Sequence, residues 1–536
     1  MRAVSKVPDR TFETPPPRRW ALRTVVALVG MGFAFPVGYL AWAAVGLGGE
    51  FWSTLTSAST LVPLRNSLLI AGSTAAAAGL LGSLLAWLVV RTDLPGRRLW
   101  KAILPLPLVI PSFVGATALL AAFGRGGLVP FIPRVEGFWG AFAVLTLLTY
   151  PYVYLPVAAR LSTTSASLEE AARLLGKGSV TTIVRVVVPQ IRETVLAGTM
   201  LVFLYGLSDF GAVSLMRYDT ITRAIFSARL FDRAASLTLG LVLAVLALAV
   251  AAFERLGAPA RTAPFATLPL RYPLGRWSVP ATLFVATVVG VGLVAPLAVF
   301  VFWVVRGSAT VGVGFSGLGD SLAFLVEPTL NSAGAALAAG VMAAVVTLPV
   351  AYAAVRLRGW VPAVTSTVVN SVFALPGLVV ALAVVFWAIR APGTLGGLYQ
   401  TFPLLVFAYV LHFGAQSMQS SRAAIAAVPR RYDDVGRTLG VGRWRRFLTV
   451  EVPLMRPGLV AGSGLVLLST LKELPATLLL APIGFETLAT KIWGAAEDGF
   501  FAEVGITSLV LVALSAILTW LLVLRQASVT SPPPPN

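Results

Sequence analysis

Two carboxylates interrupt long apolar stretches of this sequence at corresponding places in its two halves. The first half carries Ser208-Asp209-Phe210 and the second carries Lys472-Glu473-Leu474. If these stretches cross a membrane, a carboxylate at that depth is costly unless it faces water, a partner or a substrate, so both are functional candidates. The alternative is a structural ion pair, with Lys472 partnering Asp209 between the halves. The sequence leaves both interpretations open.

The oxygens of these side chains suit a hard cation better than a soft one. Asp209 and Glu473 supply carboxylates and Tyr205 a phenol, and we predict that they line a translocation pathway with Ser208 and Lys472 beside them. Any metal contact of Asp209 and Glu473 would be transient. The chain has no cysteine, one histidine and seven methionines, which argues against copper or zinc handling and excludes disulfides and cysteine nucleophiles.

A second constellation combines carboxylates, a glycine and a proline at fixed spacing. It reads Glu169-Glu170-Ala171-Ala172-Arg173-Leu174-Leu175-Gly176, followed by Val186-Val187-Val188-Pro189. The pattern predicts a short helix with carboxylates in its first turn, where the helix dipole favours them, and a glycine that ends it. A second short helix then runs into Pro189. One such element could be an ordinary structured loop.

The second half of the chain carries the same constellation again. It reads Tyr432-Asp433-Asp434-Val435-Gly436-Arg437-Thr438-Leu439-Gly440 and then Val450-Glu451-Val452-Pro453. The carboxylate-to-glycine and glycine-to-proline spacings are preserved. Because two copies at identical spacing are hard to obtain by accident, we interpret both as functional.

The elements that position these residues are transmembrane helices. The chain is 57% hydrophobic and 12% charged, with a mean hydropathy of +0.86, which is outside the range of soluble domains. Apolar runs of roughly 20 residues, enough to cross a bilayer as a helix, recur throughout, and a β-barrel would alternate instead. We predict an all-α polytopic membrane protein with about twelve spans at 24–46, 66–90, 103–123, 139–159, 194–216, 236–253, 279–305, 331–355, 368–389, 402–420, 458–481 and 502–524.

The net charge of +19 is placed by the membrane, so a nucleic-acid role is disfavoured. With the N-terminus in the cytoplasm, the inside segments carry 30 of the 41 Lys and Arg residues. This bias predicts that both termini are cytoplasmic. The basic N-terminal segment precedes an apolar run too long for a signal peptide, so we expect an uncleaved first span.

The two halves are copies of one unit. Asn66-Ser67 matches Asn331-Ser332, Arg91 matches Arg356, and the turn at Ile110-Pro111 matches Leu375-Pro376, all at an offset of 265 residues. A six-span unit returns the chain to its starting side, so the copies are parallel repeats about an axis along the membrane normal. The predicted organisation is a cytoplasmic tail (1–23), a first repeat (24–256) with motif 165–189, a linker (257–276), a second repeat (277–525) with motif 429–453, and a disordered C-terminal tail (526–536).

The motif resembles the cytoplasmic signature of permeases of binding-protein-dependent ATP-binding-cassette importers: Glu-Ala-Ala, three residues, Gly, nine residues, then Ile-x-Leu-Pro. In the first half this pattern falls on Glu170, Ala171, Ala172, Gly176, Val186, Val188 and Pro189, and more loosely in the second on Asp434, Val435, Gly436, Gly440, Val450, Val452 and Pro453. The resemblance implies a type I importer permease fold, an inner-membrane location, and coupling residues that dock into two copies of an ABC ATPase. Glu169 and Asp433 flank these coupling positions.

The chain itself carries no Gly-x-x-x-x-Gly-Lys-Ser/Thr phosphate loop, so ATP and Mg²⁺ are expected on the partner ATPase and no cofactor on this chain. The segments Ser208–Ser214, Arg217–Thr220, Lys472–Thr477 and Phe485–Thr490 resemble fused permeases of bacterial ferric-iron importers. That resemblance implies ferric-iron uptake with a periplasmic binding protein docking on the outer loops, notably Arg217 to Arg233 and Gly484 to Phe501. Similar fused permeases carry thiamine or phosphonates, and these remain alternatives, as does an ion-coupled secondary transporter, which would not explain the paired motif. A membrane-embedded enzyme would need a catalytic constellation, and we find no suitable His, Cys or Ser grouping.

Overall fold

The computed structural model describes residues 19–124, 127–128, 135–164, 166–256, 270–310, 318–357, 359–429 and 431–530. Most of the predicted N-terminal tail, residues 257–269 of the predicted linker and the last six residues lie outside these ranges. The predicted C-terminal tail is wrong for residues 526–530, which continue the last helix to Thr530. Gln526 and Ala527 are good helix formers, which favours this continuation.

The described part of the first repeat is built from helices without strands. They are α1 (Arg19–Val45), α2 (Gly49–Leu55), α3 (Ala58–Arg91), α4 (Arg97–Ile103), α5 (Ser112–Phe123), α6 (Gly137–Thr149), α7 (Pro151–Thr163), α8 (Ala166–Leu174), α9 (Ser179–Thr182), α10 (Val188–Ser208), α11 (Gly211–Leu215), α12 (Ile221–Ala228) and α13 (Arg233–Leu256).

The second repeat follows the same order. Its helices are α14 (Ser278–Val289), α15 (Ala295–Thr310), α16 (Leu318–Arg356), α17 (Trp360–Val372), α18 (Gly377–Ala388), α19 (Phe402–Ala427), α20 (Arg431–Thr438), α21 (Arg443–Arg446), α22 (Val452–Leu471), α23 (Pro475–Leu480), α24 (Leu488–Asp498) and α25 (Phe501–Thr530). This arrangement confirms the all-α fold with two repeats of one helical order.

Within the described ranges, nine helices are long and apolar enough to cross a membrane, and up to eleven spans result if two bent helix pairs each count as one. The remaining predicted span, 402–420, lies in α19. Its 26 residues cover about 39 Å, but it carries polar residues such as Gln416. Gln416 Nε2 donates to Ser469 Oγ at 2.9 Å on α22, so this polar side chain faces protein rather than lipid.

The predicted spans 103–123 and 368–389 are each a bent pair of helices and not one continuous helix. Residues Arg97–Val109 meet α5 at 91°, and α17 meets α18 at 105°. Both bends fall at the matched Ile110-Pro111 and Leu375-Pro376 turns. Pro111 and Pro376 have ψ of 152° and 139°, which is extended backbone rather than helix. Proline has no N–H to donate and disfavours helical backbone in the residue before it, so the helix breaks there.

The predicted spans 194–216 and 458–481 are also interrupted. Helix α10 ends at Ser208 and the short α11 begins at Gly211, while α22 ends at Leu471 and α23 begins at Pro475. The two carboxylates singled out in the sequence therefore lie at helix breaks and not within continuous helices.

Matched asparagine and serine side chains fasten α12 and α24 to the long helices α3 and α16. Asn66 Nδ2 donates to Asp219 O at 2.9 Å and Asn331 Nδ2 to Glu486 O at 3.0 Å. Ser67 and Ser332 each accept a backbone N–H at 2.8 Å, from Ile221 and Leu488 at the starts of α12 and α24. The repeated Asn-Ser pair thus has one structural role in both copies.

The first long helix of each repeat packs against the bent pair of the other repeat. Tyr39 on α1 donates its hydroxyl to Phe386 O on α18 at 2.8 Å. At the matched place, Trp303 Nε1 on α15 donates to Ala121 O on α5 at 2.9 Å. Phe35 adds an edge-on contact with Trp387 at 5.6 Å between ring centroids. The repeats therefore exchange their first spans and share one core.

Candidate functional site

The two sequence motifs lie on corresponding short helices, and we call the face that carries α8 and α20 the motif face. Helix α8 is followed by Gly176 in the left-handed region at φ +74°, then α9 and a π-helical turn, with Pro189 in the first turn of α10. In the second repeat, Gly440 has φ +67° and Pro453 opens α22 in the same way. Glycine adopts such positive φ without steric cost, which explains its place after each helix.

The adjacent carboxylates of the first motif have different environments. Glu170 is exposed, whereas Glu169 is fully buried. Glu169 forms an ion pair with the equally buried Arg91 and accepts a hydrogen bond from the Tyr272 hydroxyl at 2.8 Å. Among the predicted coupling residues, Glu170 is therefore free to meet a partner protein, while Glu169 holds α8 in place.

Apolar side chains are left exposed on both motifs. Leu175 is 78% exposed and its counterpart Leu439 is 73% exposed. Val180 and Val184 in the first repeat and Trp444 and Leu448 at the matched places in the second are exposed as well. An apolar surface of this kind, repeated in two copies, indicates a protein interaction site. Sequence reasoning had singled out the carboxylates and missed these apolar contacts.

The second motif departs from the Glu-Ala-Ala pattern for a packing reason. A Cβ at Gly436 would lie 2.5 Å from Arg446 Cδ. Arg446 is buried and its Nε lies 3.9 Å from Glu451 Oε1, so its side chain is held across α20. Glycine at 436 leaves room for it. The predicted coupling residues Asp433 and Asp434 lie on α20, but their side chains are outside the described part of the chain.

At membrane depth, Asp209 caps the short helix α11. Its Oδ1 accepts the N–H groups of Ala212 at 3.0 Å and Val213 at 3.3 Å, and its own carbonyl accepts the Thr222 hydroxyl at 2.7 Å. Ser112 at the start of α5 also hydrogen-bonds the carboxylate. These bonds explain why the chain can hold a carboxylate in an apolar surrounding.

Glu473 has the same place in the second repeat with different neighbours. Its Oε1 accepts Ala476 N–H at 3.2 Å, and its carbonyl accepts the Thr477 hydroxyl at 2.7 Å. Gly377 stands where the first repeat has Ser112, and a Cβ there would lie 2.4 Å from Glu473 Oε1 and 3.3 Å from His412 Nε2. The longer glutamate side chain therefore fills the space that the glycine leaves, with His412 beside it.

Lys472 does not pair with Asp209 within the described residues. Its Nζ donates to Leu108 O at 3.0 Å, in the bend of the first repeat. The ion-pair alternative is therefore wrong for these residues, because the lysine is satisfied by a backbone carbonyl and the carboxylate by N–H groups. The contact still joins the two repeats near the level of the carboxylates.

Tyr205 brings the two carboxylates into one neighbourhood. Its hydroxyl lies close enough to Asp209 and Glu473 for both charges to act on it, and its ring lies 5.8 Å from that of Tyr152. Ser208 is half-buried at the end of α10. In the described part of the chain, no group of three or more His, Asp or Glu side chains is arranged so that it could hold a metal ion.

Aromatic rings from both repeats meet beside this neighbourhood. Phe210, next to Asp209, stacks on Trp493 of α24 at 5.2 Å between ring centroids, and Phe226 of α12 lies 4.7 Å from Phe210. Phe210 and Trp493 are both buried. The rings fill the space between the repeats on the side of α12 and α24, away from the motif face. Nothing in the sequence pattern singled out Trp493.

Comparison with known proteins agrees with this geometry. The family model "Binding-protein-dependent transport system inner membrane component" matches twice, at residues 78–261 and 336–528. The Fe(3+)-transport system permease protein FbpB 2 of Haemophilus influenzae is 29% identical over 522 residues, covering 94% of this chain and 99% of that protein.

Shorter relatives match parts of the chain. The sulfate transport system permease protein CysT of Salmonella typhimurium is 31% identical over 31% of this chain and 61% of its own length. The molybdenum transport system permease protein ModB of Mycobacterium tuberculosis is 31% identical over 40% of this chain and 84% of its own length. Of these three, the similarity to the Haemophilus protein covers nearly the whole of this chain.

Proposed function

The chain belongs to the family of binding-protein-dependent transport system inner membrane components, and we propose that it forms the pathway for ATP-driven uptake of ferric iron. It is a multi-pass inner-membrane permease of an ABC importer, with both halves of the permease fused in one chain. The ferric cargo, the partner proteins and the roles of individual residues are the parts that we propose.

The observation that carries the ferric proposal is the pair of matched carboxylates at helix breaks, in a chain similar over nearly its whole length to an Fe(3+) permease. Asp209, Glu473 and Tyr205 offer hard oxygens, which suit Fe³⁺. Sulfate and molybdate are anions and would be repelled by carboxylates. Phosphonates are disfavoured for the same reason, while thiamine, a cation, remains the alternative that charge does not exclude.

We propose that two copies of a cytoplasmic ABC ATPase bind the motif face, one at each repeat. The support is the two matched exposed surfaces around Leu175 and Leu439, with Glu170 exposed beside the first. ATP and Mg²⁺ would be bound by those subunits. Coupling would involve Glu170 and Asp434 directly, with Ala171, Ala172, Gly436 and the two glycine-to-proline segments shaping the docking surface.

A periplasmic binding protein would deliver the cargo to the opposite face. Exposed apolar side chains precede the last helix of each repeat there, with Phe231 90% exposed and Phe500 59% exposed. They lie within the loops that sequence analysis assigned to docking, 217–233 and 484–501. In this orientation both termini would lie in the cytoplasm, and the excess of Lys and Arg on the motif side supports it.

The mechanism that fits this arrangement is alternating access. ATP would close the two ATPase subunits, α8 and α20 would transmit the closure, and the repeats would rock so that the pathway opens outward. Cargo would pass Asp209 and Glu473, and hydrolysis would restore the inward-facing state. Phe210 and Trp493, which meet between the repeats, would have to separate for cargo to enter.

Uptake of radiolabelled ferric iron tests the proposal. Iron-limited cells lacking this chain are complemented with wild type, Glu170→Ala or Glu473→Gln, and thiamine uptake is measured in parallel. We expect wild type to restore iron uptake and both variants to lose most of it, with the proteins still present in the membrane. A matched control is Glu50→Gln, which removes an exposed carboxylate on α2, outside both candidate regions.

Two outcomes would contradict parts of the proposal. Normal iron uptake in the deletion strain together with a thiamine defect would retain the importer and overturn the cargo. Uptake that persists without any ATPase partner would instead favour an ion-coupled secondary transporter.

A further inference from the structure

The segment that joins the two repeats is fastened to the first motif. Residues 270–274, which we call the strap, lie beside the end of α3. Tyr272 N donates to Arg91 O at 2.8 Å, and Leu274 N donates to Asp93 Oδ1 at 2.8 Å. Arg91 in turn donates to Leu270 O at 3.2 Å. The strap thus both donates hydrogen bonds to the end of α3 and accepts one from it. It is therefore part of the motif face of the first repeat, although the chain continues from it into the second repeat.

Tyr272 extends this attachment to α8. Its hydroxyl donates to Glu169 Oε2 at 2.8 Å, while the other carboxylate oxygen of Glu169 pairs with Arg91. The Tyr272 ring lies 5.3 Å from the Trp87 ring and 4.8 Å from the guanidinium of Arg173 on α8. One side chain of the strap thus contacts the long helix α3 and the motif helix α8 together.

The chemistry of this contact favours a fixed arrangement. Glu169 and Arg91 are fully buried, and a buried ion pair is stable only when its remaining hydrogen-bonding capacity is satisfied. Tyr272 supplies part of that capacity. Burial and the hydrogen bond to Glu169 raise the pKa of Tyr272, and these effects outweigh the positive charge of Arg173, which lowers it. The hydroxyl therefore stays protonated and remains a donor.

The second repeat braces its motif differently. Arg356, which matches Arg91, donates to Ile425 O at 3.3 Å and Val428 O at 2.9 Å, both at the end of α19. The second motif has its own internal pair, Arg446 with Glu451. The two motif helices are therefore held by unlike contacts, and only the first is joined to the linker among the residues described.

We propose that the strap is a positioning element, in which Tyr272 locks α8 to α3 so that the two move as one unit. Movement imposed on α8 then passes directly into the first repeat, and this coupling depends on the linker that fuses the halves. The second repeat transmits movement without such a brace. The inference rests on the proposed docking of ATPase subunits at α8 and α20.

Hydrogen exchange on the purified permease tests the lock without cargo or ATPase. Tyr272→Phe removes only the hydroxyl and keeps the ring contacts. A hydrogen bond to a charged group is worth roughly 1.5–3 kcal/mol, so we expect amides of α8 to exchange about tenfold faster or more, with α20 unchanged. The control Tyr399→Phe removes a hydroxyl far from the strap and should leave both helices unchanged. Equal exchange in α8 of Tyr272→Phe and wild type, or equal acceleration in α20, would overturn the proposal.

A second pair of variants tests the consequence for coupling in proteoliposomes containing the ATPase and the binding protein. Asp93→Ala removes the acceptor for Leu274 N–H, whereas Asp93→Asn keeps an oxygen there. We expect Asp93→Ala and Tyr272→Phe to lower the cargo imported per ATP hydrolysed several-fold, and Asp93→Asn to behave as wild type. Unchanged stoichiometry in both disrupting variants would overturn the role in coupling. If the wild-type protein shows no ATP-driven uptake, the proposed function is contradicted. The hydrogen-exchange result would still test the lock, because it requires neither cargo nor ATPase.

Discussion

At the scale of single residues, the carboxylates of this chain divide into those that hold structure and those that are open to partners. Glu169 and Glu170 are neighbours in sequence, yet one is sealed in an ion pair and the other is exposed. Asp209 and Glu473 have a structural role, because a side-chain oxygen of each caps the short helix that follows it. A substitution at these positions therefore has to be judged by which oxygen contacts it removes.

Gly436 offers a sharp test of packing on the second motif. Gly436→Ala places a Cβ against the buried Arg446, which is held by Glu451 and cannot easily move. Overpacking of this kind lowers the free energy of unfolding by roughly 1–3 kcal/mol, so we expect the variant permease to have a lower melting temperature and to bind the ATPase more weakly. Differential scanning calorimetry of the purified permease measures the first effect, and copurification of the ATPase measures the second.

The matched control for this prediction is Gly442→Ala. A Cβ at Gly442 meets no atom within 4 Å, so this variant should bind the ATPase as wild type does. If Gly436→Ala and Gly442→Ala behave alike, steric conflict with Arg446 does not explain the glycine.

At the scale of elements, the structure is organised by helices that stop short. Prolines 111 and 376 bend two helix pairs by 91° and 105°, and α10 and α22 end just before the membrane-depth carboxylates. Broken helices leave backbone groups free inside a membrane, and these are tolerated where they are buried in protein or line a cavity. Here the side chains of Asp209 and Glu473 satisfy several of them.

The short motif helices should account for most of the ATPase affinity. Leu175→Asp and Leu439→Asp each put a charge into one exposed apolar surface of the motif face. We expect each to reduce copurification of the ATPase and the double variant to abolish it, because burying an unpaired charge at an interface is costly. Leu395→Asp makes the same change on the opposite face and should have no effect on the ATPase. Full ATPase recovery with the double variant would show that binding lies elsewhere.

At the scale of the whole molecule, the two repeats do not form independent bodies. Helices α1 and α15 each pack on the bent pair of the other repeat, through matched hydrogen bonds from Tyr39 and Trp303. The buried core contains residues of both repeats. Each repeat alone would expose surfaces that the other covers.

This exchange predicts how separated halves behave. Residues 1–262 and 263–536 expressed alone should be degraded or aggregate, whereas the two fragments expressed together should assemble and copurify. Pulse-chase labelling of each fragment with and without its partner measures this directly. A first fragment that is long-lived by itself would contradict the shared core.

Tyr39→Phe together with Trp303→Phe should weaken the assembly of the two fragments, by about 0.6 kcal/mol for each hydrogen bond lost in the membrane.

Local features of the sequence were sufficient to predict the class of this protein. Apolar runs of spanning length and two motifs at one spacing predicted the helical membrane fold and the duplication, and the distribution of Lys and Arg predicted its orientation, because these depend on local composition and regular spacing. The permease family was indicated by the resemblance of the motif to the importer signature. The matched turns at Ile110-Pro111 and Leu375-Pro376 were predicted as well, but their angles of 91° and 105° were not.

How these parts meet was visible only in the folded molecule. The exchange of first spans, the Arg446 packing behind Gly436, the Lys472 contact with Leu108 and the strap on Glu169 all join residues far apart in the chain. No periodicity encodes such pairings, since an apolar helix gives little indication of which neighbour it will choose in lipid. That choice depends on close packing and on satisfying buried polar groups, which are properties of the assembled fold.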